Sequence, residues 1–453
     1  MTTIDPSAPA SPYVRGNFAP VATEVTATDL PVRGQLPAEL DGRYLRNGPN
    51  PIDAVGPDYH WFTGEGMVHG VRLRDGRAEW YRNRWVRSPE VAAHLGEDAP
   101  PNPYDETIRV FAANTNVIGH AGRTFAIVEA GAPPIELTDE LDTIGPTDLD
   151  GTLEHPFSAH PKLDPATGEL HVATYFWAWG NQVRYLVVDP AGHVRRNVDI
   201  PVQGGTMLHD IGLTEQHVVI MDQPCVFDLE VALAGGALPY RWTDDYTTRF
   251  GVLPREGEAD DIRWFEVETG YVFHPLNTFE RADGTIVMDA VRHDRMFDTD
   301  RCGPNEGPTH LRRYELDPAT GRATETVLDE HPVELPRIDE RRTGREHRYG
   351  YAIAWGEAGE PGPTYKYDLQ AGTTEVLDHG PGRGSLEPVF VPRAGGTAED
   401  DGWIVQVVYD ADRDGSDLVL TQAQDLEGGP VAVVELPQRV PFGFHGNWVP
   451  TTS

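Results

Sequence analysis

Lysine and cysteine are nearly missing from this chain: 453 residues contain only Lys162, Lys366, Cys225 and Cys302. Two cysteines outside a Cys-x-x-Cys pair build neither a disulfide framework nor a thiolate metal site, and their scarcity suits a reducing compartment. Positive charge is short as well, with 37 basic residues against 72 acidic ones and a net charge of −35. A field of that sign repels phosphate backbones and anionic headgroups, so nucleic acid is not an expected partner. No apolar run approaches the eighteen or so residues that cross a bilayer, and the opening MTTIDPSAPASPYVRG has neither the basic nor the apolar stretch of a secretory leader. A cytoplasmic protein is expected, with at most transient peripheral contact with membranes.

Convincing amphipathic helices are scarce too. What recurs instead, from about residue 40, is the hairpin: RLRDGRAEW, HAGRTFAIV, LDPATGELHVATY, ERADGTIVMDA and YELDPATGRATE each set a Gly or Asp turn between β-branched or aromatic runs. Hairpins over nearly the whole length give an all-β class, and the length suits a β-propeller better than a small sandwich. No linker or low-complexity block divides the middle, so one domain over 16–453 is expected behind a flexible segment, 1–15. Three stretches are too long for hairpin turns, roughly 87–107, 225–258 and 337–348, and are candidate lid loops or short helices over one face.

Of seventeen histidines, His94, His293, His331, His347 and His379 sit in charged surroundings and are expected at the solvated surface. Four others follow apolar residues closely: His160 in FSAHPKLDP, His209 in TMLHDIGL, His274 in YVFHPLNTFE and His445 in PFGFHGNWVP. Taken singly, such a histidine is more often a hydrogen-bonded core or turn residue than a ligand. The four are 49, 65 and 171 residues apart in succession, unlike the i, i+3 or i, i+4 pairs of helical metal sites. Only a radial fold, with inner strands converging on an axis, brings them together. The His209–Asp210 pair also occurs in helical phosphohydrolase sites, but the strand-like HVVIMD that follows argues against that setting.

The segments YLRNGPNP, HWFTGEGMVHGV, ANTNV, SAHPKLDPATGE, MLHDIGLTEQHVVIMD, FHPLNTFE, LEPVFVPR and FHGNWVP, in this order from residue 40 to the C-terminus, resemble the carotenoid cleavage oxygenase family. The resemblance implies a seven-bladed propeller with a dome of loops and short helices, and one Fe(II) per chain held by His160, His209, His274 and His445. It further implies three glutamates behind the ligands, matched by Glu129, Glu334 and Glu387, and a threonine close to the metal, matched by Thr115. Such carboxylates accept Nδ1–H from a ligating imidazole and so fix the tautomer that offers Nε2.

The implied reaction adds dioxygen across a conjugated carbon–carbon double bond and splits it into two carbonyl products. An apolar polyene needs an aromatic-lined tunnel, for which Phe111, Phe157, Trp177, Phe227, Phe273 and Phe279 are the candidates. The segment CVFDLEVALAGGALPYRW is the best candidate for an entrance loop, weakened by Asp228 and Glu230. One branch of the family cleaves phenolic stilbenes with help from a lysine immediately before the first of these glutamates. That position is Val128, which favours a carotenoid or apocarotenoid over a stilbenoid. A non-catalytic propeller that binds apolar ligands is the alternative of another class. The sequence leaves the bond cleaved and the oligomeric state open.

Overall fold

Two-residue turns set the strand pattern. Asp75 (φ 50°) and Gly76 (φ 70°) join Gly66–Arg74 to Arg77–Trp85, and Ala121 (φ 51°) and Gly122 (φ 73°) join Asn116–His120 to Arg123–Ile127. Consecutive left-handed residues give a turn whose twist matches the strands it connects. In the computed structural model, which describes residues 11–451 apart from 106–107, 155, 237, 305 and 357–358, these hairpins build seven antiparallel sheets of four or more strands in chain order, the blades of a propeller, beside one two-stranded ribbon.

Within a blade, middle strands are buried on both faces and outer strands on one. Leu170–Tyr175 and Ile286–His293 are buried at every position, whereas Val194–Pro201 alternates towards solvent. Continuous apolar runs therefore mark strands packed between neighbouring blades. The ring closes at blade 1, where the C-terminal Gly446–Pro450 lies against Gly42–Pro49 as the innermost strand. Blade 7 takes the N-terminal Val32–Gly34 as its outer strand against Pro430–Glu435.

Of the segment expected to be flexible, residues 1–10 lie outside the described residues. Residues 11–15 are packed: the buried Tyr13 stacks on Trp61 with ring centroids 5.4 Å apart, and Ser11 Oγ donates to the Tyr59 carbonyl. The candidate lids differ among themselves. The first holds a helix, Pro89–Leu95, started by Ser88, whose side chain accepts from Val91 N–H, and ended by Gly96 at φ 74°. The second holds a ribbon, Cys225–Phe227 with Tyr240–Trp242, around a short helix, Leu229–Leu233, but its last part, Arg249–Pro254, is a strand of blade 4. The third carries a single turn, Glu340–Arg342, beside the axial channel. No helix among the described residues is long and apolar enough to cross a membrane.

Candidate metal centre

The four histidines come from four blades, each at or near the start of an innermost strand. His160 precedes Lys162–Leu163 of blade 3, His209 precedes Gly212–Leu213 of blade 4, and His445 immediately precedes Gly446–Pro450 of blade 1. His274 lies within Tyr271–Glu280 of blade 5, where the register shifts between Val272 and Pro275. Such a bulge re-aims a side chain that regular alternation would send elsewhere. One ring nitrogen from each histidine lies within 4.8 Å of the others, and all four residues are buried.

The remaining three blades supply the carboxylates. Glu129 of blade 2 accepts from His209 Nδ1 at 2.8 Å, Glu334 of blade 6 from His274 Nδ1 at 2.7 Å, and Glu387 of blade 7 from His445 Nδ1 at 2.9 Å. With Nδ1 held, Nε2 is the atom turned to the common centre, and the His209 and His274 Nε2 atoms are 3.1 Å apart. The backbone turns sharply just past two of these glutamates: Ala130 and Leu335 sit at φ 60° and 52°. Left-handed backbone at bulky, non-glycine residues stores strain, a pattern found where a site must be held in one geometry.

Electrostatics fits a cation at the centre. Burial and the neighbouring imidazoles hold His160 well below its ordinary pKa, and its buried Nε2 has no hydrogen-bond partner among the described residues. Burial likewise lowers His445 to about 4, against the pull of Glu387. At His209 burial acts downward too, but the Glu129 carboxylate outweighs it and the ring is raised. Glu387 is pushed up by burial, yet Arg337, His445 and the Gly446 N–H hold it at about 2. Glu334, burial notwithstanding, stays far below the carboxylate range beside His274 and His293. Converging imidazoles backed by carboxylates form a donor set for a divalent transition metal.

Two supporting residues escaped the sequence reading. His293, expected at the surface, is buried and donates to the second oxygen of Glu334 at 2.7 Å. His347, also expected there, is buried beside Asn277 and Asp289. Both lie among charges because each meets a buried carboxylate, so charged neighbours in sequence did not mean solvent. Arg337 pairs with Glu387 at 3.1 Å and donates to the Gly446 carbonyl and Asn447 Oδ1, tying blade 6 to the closing strand. His94 and His331 are exposed as expected; His379 is half-buried and bonded to Gln406.

An apolar cavity opens on the dome side of the histidines, lined by Trp61, Phe62, Val128, Phe273, Leu335 and Phe444 together with Thr115 and Glu129. Thr115 is buried, and its carbonyl accepts the His445 N–H at 3.1 Å. Of the expected tunnel aromatics only Phe273 lines this cavity. Phe157, in the loop before blade 3, and Phe279 are buried in packing between blades; for Phe279 the reason is that successive residues of a strand face opposite sides. Phe111 is exposed under Arg109. Trp177, 53% exposed, stacks on Phe227, and rings continue through Tyr240 to Tyr175, which does line the cavity. Leu238 of the candidate entrance segment lines it too, while Leu229 and Leu233 of the same segment are exposed. Asp228 does not weaken that segment: it caps the short helix, accepting from the Glu230 and Val231 N–H groups, and pairs with Arg241.

Residues 18–450 match the family model described as retinal pigment epithelial membrane protein. A carotenoid cleavage oxygenase of Mycobacterium tuberculosis (strain H37Rv) is 46% identical over the whole of both chains. A carotenoid 9,10(9',10')-cleavage dioxygenase of Crocus sativus is 34% identical over 96% of this chain and 89% of its own. Among solved structures, the lignostilbene dioxygenase of Pseudomonas brassicacearum superposes with a TM-score of 0.87 at 27% identity, covering 98% and 99% of the two chains. Cobalt-substituted apocarotenoid oxygenase of Synechocystis gives 0.86 at 28%, covering 95% and 97%.

Proposed function

The chain belongs to the carotenoid cleavage oxygenase family and is a dioxygenase; from that premise we propose that it cleaves a conjugated double bond of a carotenoid or apocarotenoid, using one Fe(II) held by His160, His209, His274 and His445. The observation that carries this reading is the convergence of four buried histidines, three of which are braced by glutamates and line the floor of an apolar cavity. Ferrous iron, when bound, supplies the electron-rich centre and open positions that dioxygen chemistry needs.

The chain's own residues do the rest. Glu129, Glu334 and Glu387 keep three Nδ1 protons and so hold the rings ready for a metal. Trp61, Phe62, Phe273 and Phe444 form apolar walls that hold a polyene and exclude water, positioning its double bond rather than reacting with it. Thr115, set against His445, narrows the space above the histidines. Leu229 and Leu233 beside the entrance suit brief contact with an apolar surface from which such a substrate is drawn.

A stilbenoid substrate is the second reading, favoured by the likeness to the lignostilbene dioxygenase. It needs a group to stabilise a phenolate, and neither Val128 nor any other residue lining the apolar cavity among the described residues is a lysine or arginine. Mass spectrometry of products from iron-loaded protein given carotenoids, apocarotenals and stilbenes separates the two. Iron analysis of purified protein separates both from a non-catalytic, ligand-binding propeller.

A further inference from the structure

Three of the four histidines donate to a glutamate, and His160 does not. Among the described residues its ring makes no direct hydrogen bond, and its Nε2 is buried without a partner. Its Nδ1 faces Asp210, whose Oδ2 is 3.9 Å away. Asp210 itself is firmly held: Oδ1 accepts the Ile211 N–H at 2.6 Å, Oδ2 accepts Lys162 Nζ at 2.7 Å, and the side chain is 1% exposed. His160, Lys162 and Asp210 all line a second cavity, of mixed polar and apolar lining, that runs along the propeller axis on the far side of the histidines.

We propose that Asp210 is the positioning carboxylate of His160, acting through one water in the axial cavity, with Lys162 holding the aspartate in place. This rests on the reading that the four histidines bind a metal. A gap of 3.9 Å is too long for a direct bond but is spanned by one water at about 2.8 Å from each group. The water accepts Nδ1–H from His160 and donates to Asp210 Oδ2, which leaves Nε2 as the lone-pair donor at the centre, as in the other three histidines. Lys162 has a physical reason to be there. A carboxylate this buried is costly unless paired, and one of only two lysines in the chain is spent on it. His160 is then the ligand whose brace is adjustable, because a water link tolerates small displacements that a direct glutamate bond does not.

Cobalt(II) is the probe, read by its visible absorption bands and by chelator competition on purified apo-protein. Wild type binding cobalt and Asp210→Asn binding it about tenfold more weakly, the lower end of effects from groups behind a ligand, with altered bands, supports the proposal. Equal affinity and unchanged bands overturn it, even if the variant unfolds at a lower temperature, since an aspartate with a purely structural role moves only that. Failure of wild type to bind cobalt defeats the metal reading, and this inference with it. Should Asp210→Asn fail to fold, a high-resolution crystal structure of cobalt-loaded wild type decides. One water within hydrogen-bond distance of both His160 Nδ1 and Asp210 Oδ2 supports the assignment, and its absence overturns it.

Discussion

The two cavities that meet at the histidines share His274 and His445 in their walls and differ in everything else. On the dome side the walls are mostly rings and aliphatic carbons, with Phe62 edge to face against Phe273 and Phe444 and Trp61 tilted against Phe444. Along the axis, side chains such as Leu163, Ile211 and Leu276 are interspersed with Asn116, Asn277, Asn447 and two ion pairs, Lys162–Asp210 and Arg337–Glu387. Within one inner strand Phe273 faces the dome side and Leu276 the axial side, whereas Trp61, Phe62 and Leu238 reach the dome side from outside the inner strands. The dome side offers apolar walls to a substrate, while of the carboxylates behind the ligands Glu129 and Glu334 reach its floor and Glu387 reaches the axial side. Ligand support and substrate walls nevertheless rest on different side chains, carboxylates for one and rings for the other, and are therefore separable by mutation.

The largest expected effect comes from removing a ligand of the metal. His209→Ala or His445→Ala should abolish iron binding and cleavage together, measured by metal analysis and product formation; full iron retention in either variant sinks the ligand assignment. Glu129→Gln and Glu387→Gln keep the shape and lose the charge, so iron affinity should fall about 10- to 100-fold. Unchanged affinity in both would remove those residues from the support of the site.

Changes confined to the apolar wall should spare the metal. Val128→Lys places a cation in the apolar wall, and relative efficiency should move from an apocarotenal towards a 4-hydroxystilbene by about tenfold, or 1.4 kcal/mol, at unchanged iron content. No movement in that ratio would mean that position 128 does not face the reacting part of the substrate.

The smallest effect concerns acid stability of the apo-protein. Glu387 has its pKa lowered from 4.5 to about 2, so the unfolded chain takes up its proton first as pH falls. The stability it contributes is full above the ordinary carboxylate value and drains away as pH drops from about 4.5 towards 2. Denaturant midpoints of wild type and Glu387→Gln should therefore converge over that window; a constant difference would show that the charge plays no part.

Much of this was legible in the sequence, for reasons that differ by element. The hairpins announced themselves through Asp-Gly and Ala-Gly turns, and the four histidines through motifs that keep an apolar residue just ahead of each ring. Three glutamates could be matched because short, ordered motifs surround them. His293 could not, since its neighbours in VRHDR are charged and only the fold brings it to Glu334. The cavity aromatics failed for the same reason: proximity along a strand to a ligand, as in Phe279, says nothing about which face a ring takes. Phe444 left a usable sign, standing directly before His445, and Trp61 and Phe62 stood in plain view in HWFTGEG.

The central claim is that this four-histidine centre cleaves a polyene. Its most direct test is the identity of products formed by iron-loaded protein under air from an apocarotenal and from a 4-hydroxystilbene, under the same detergent and iron conditions. The account predicts two carbonyl fragments from the apocarotenal, formed only with dioxygen and at higher catalytic efficiency than any stilbene product. A clear preference for the stilbene, or no cleavage of either class by protein that holds one iron per chain, would contradict it.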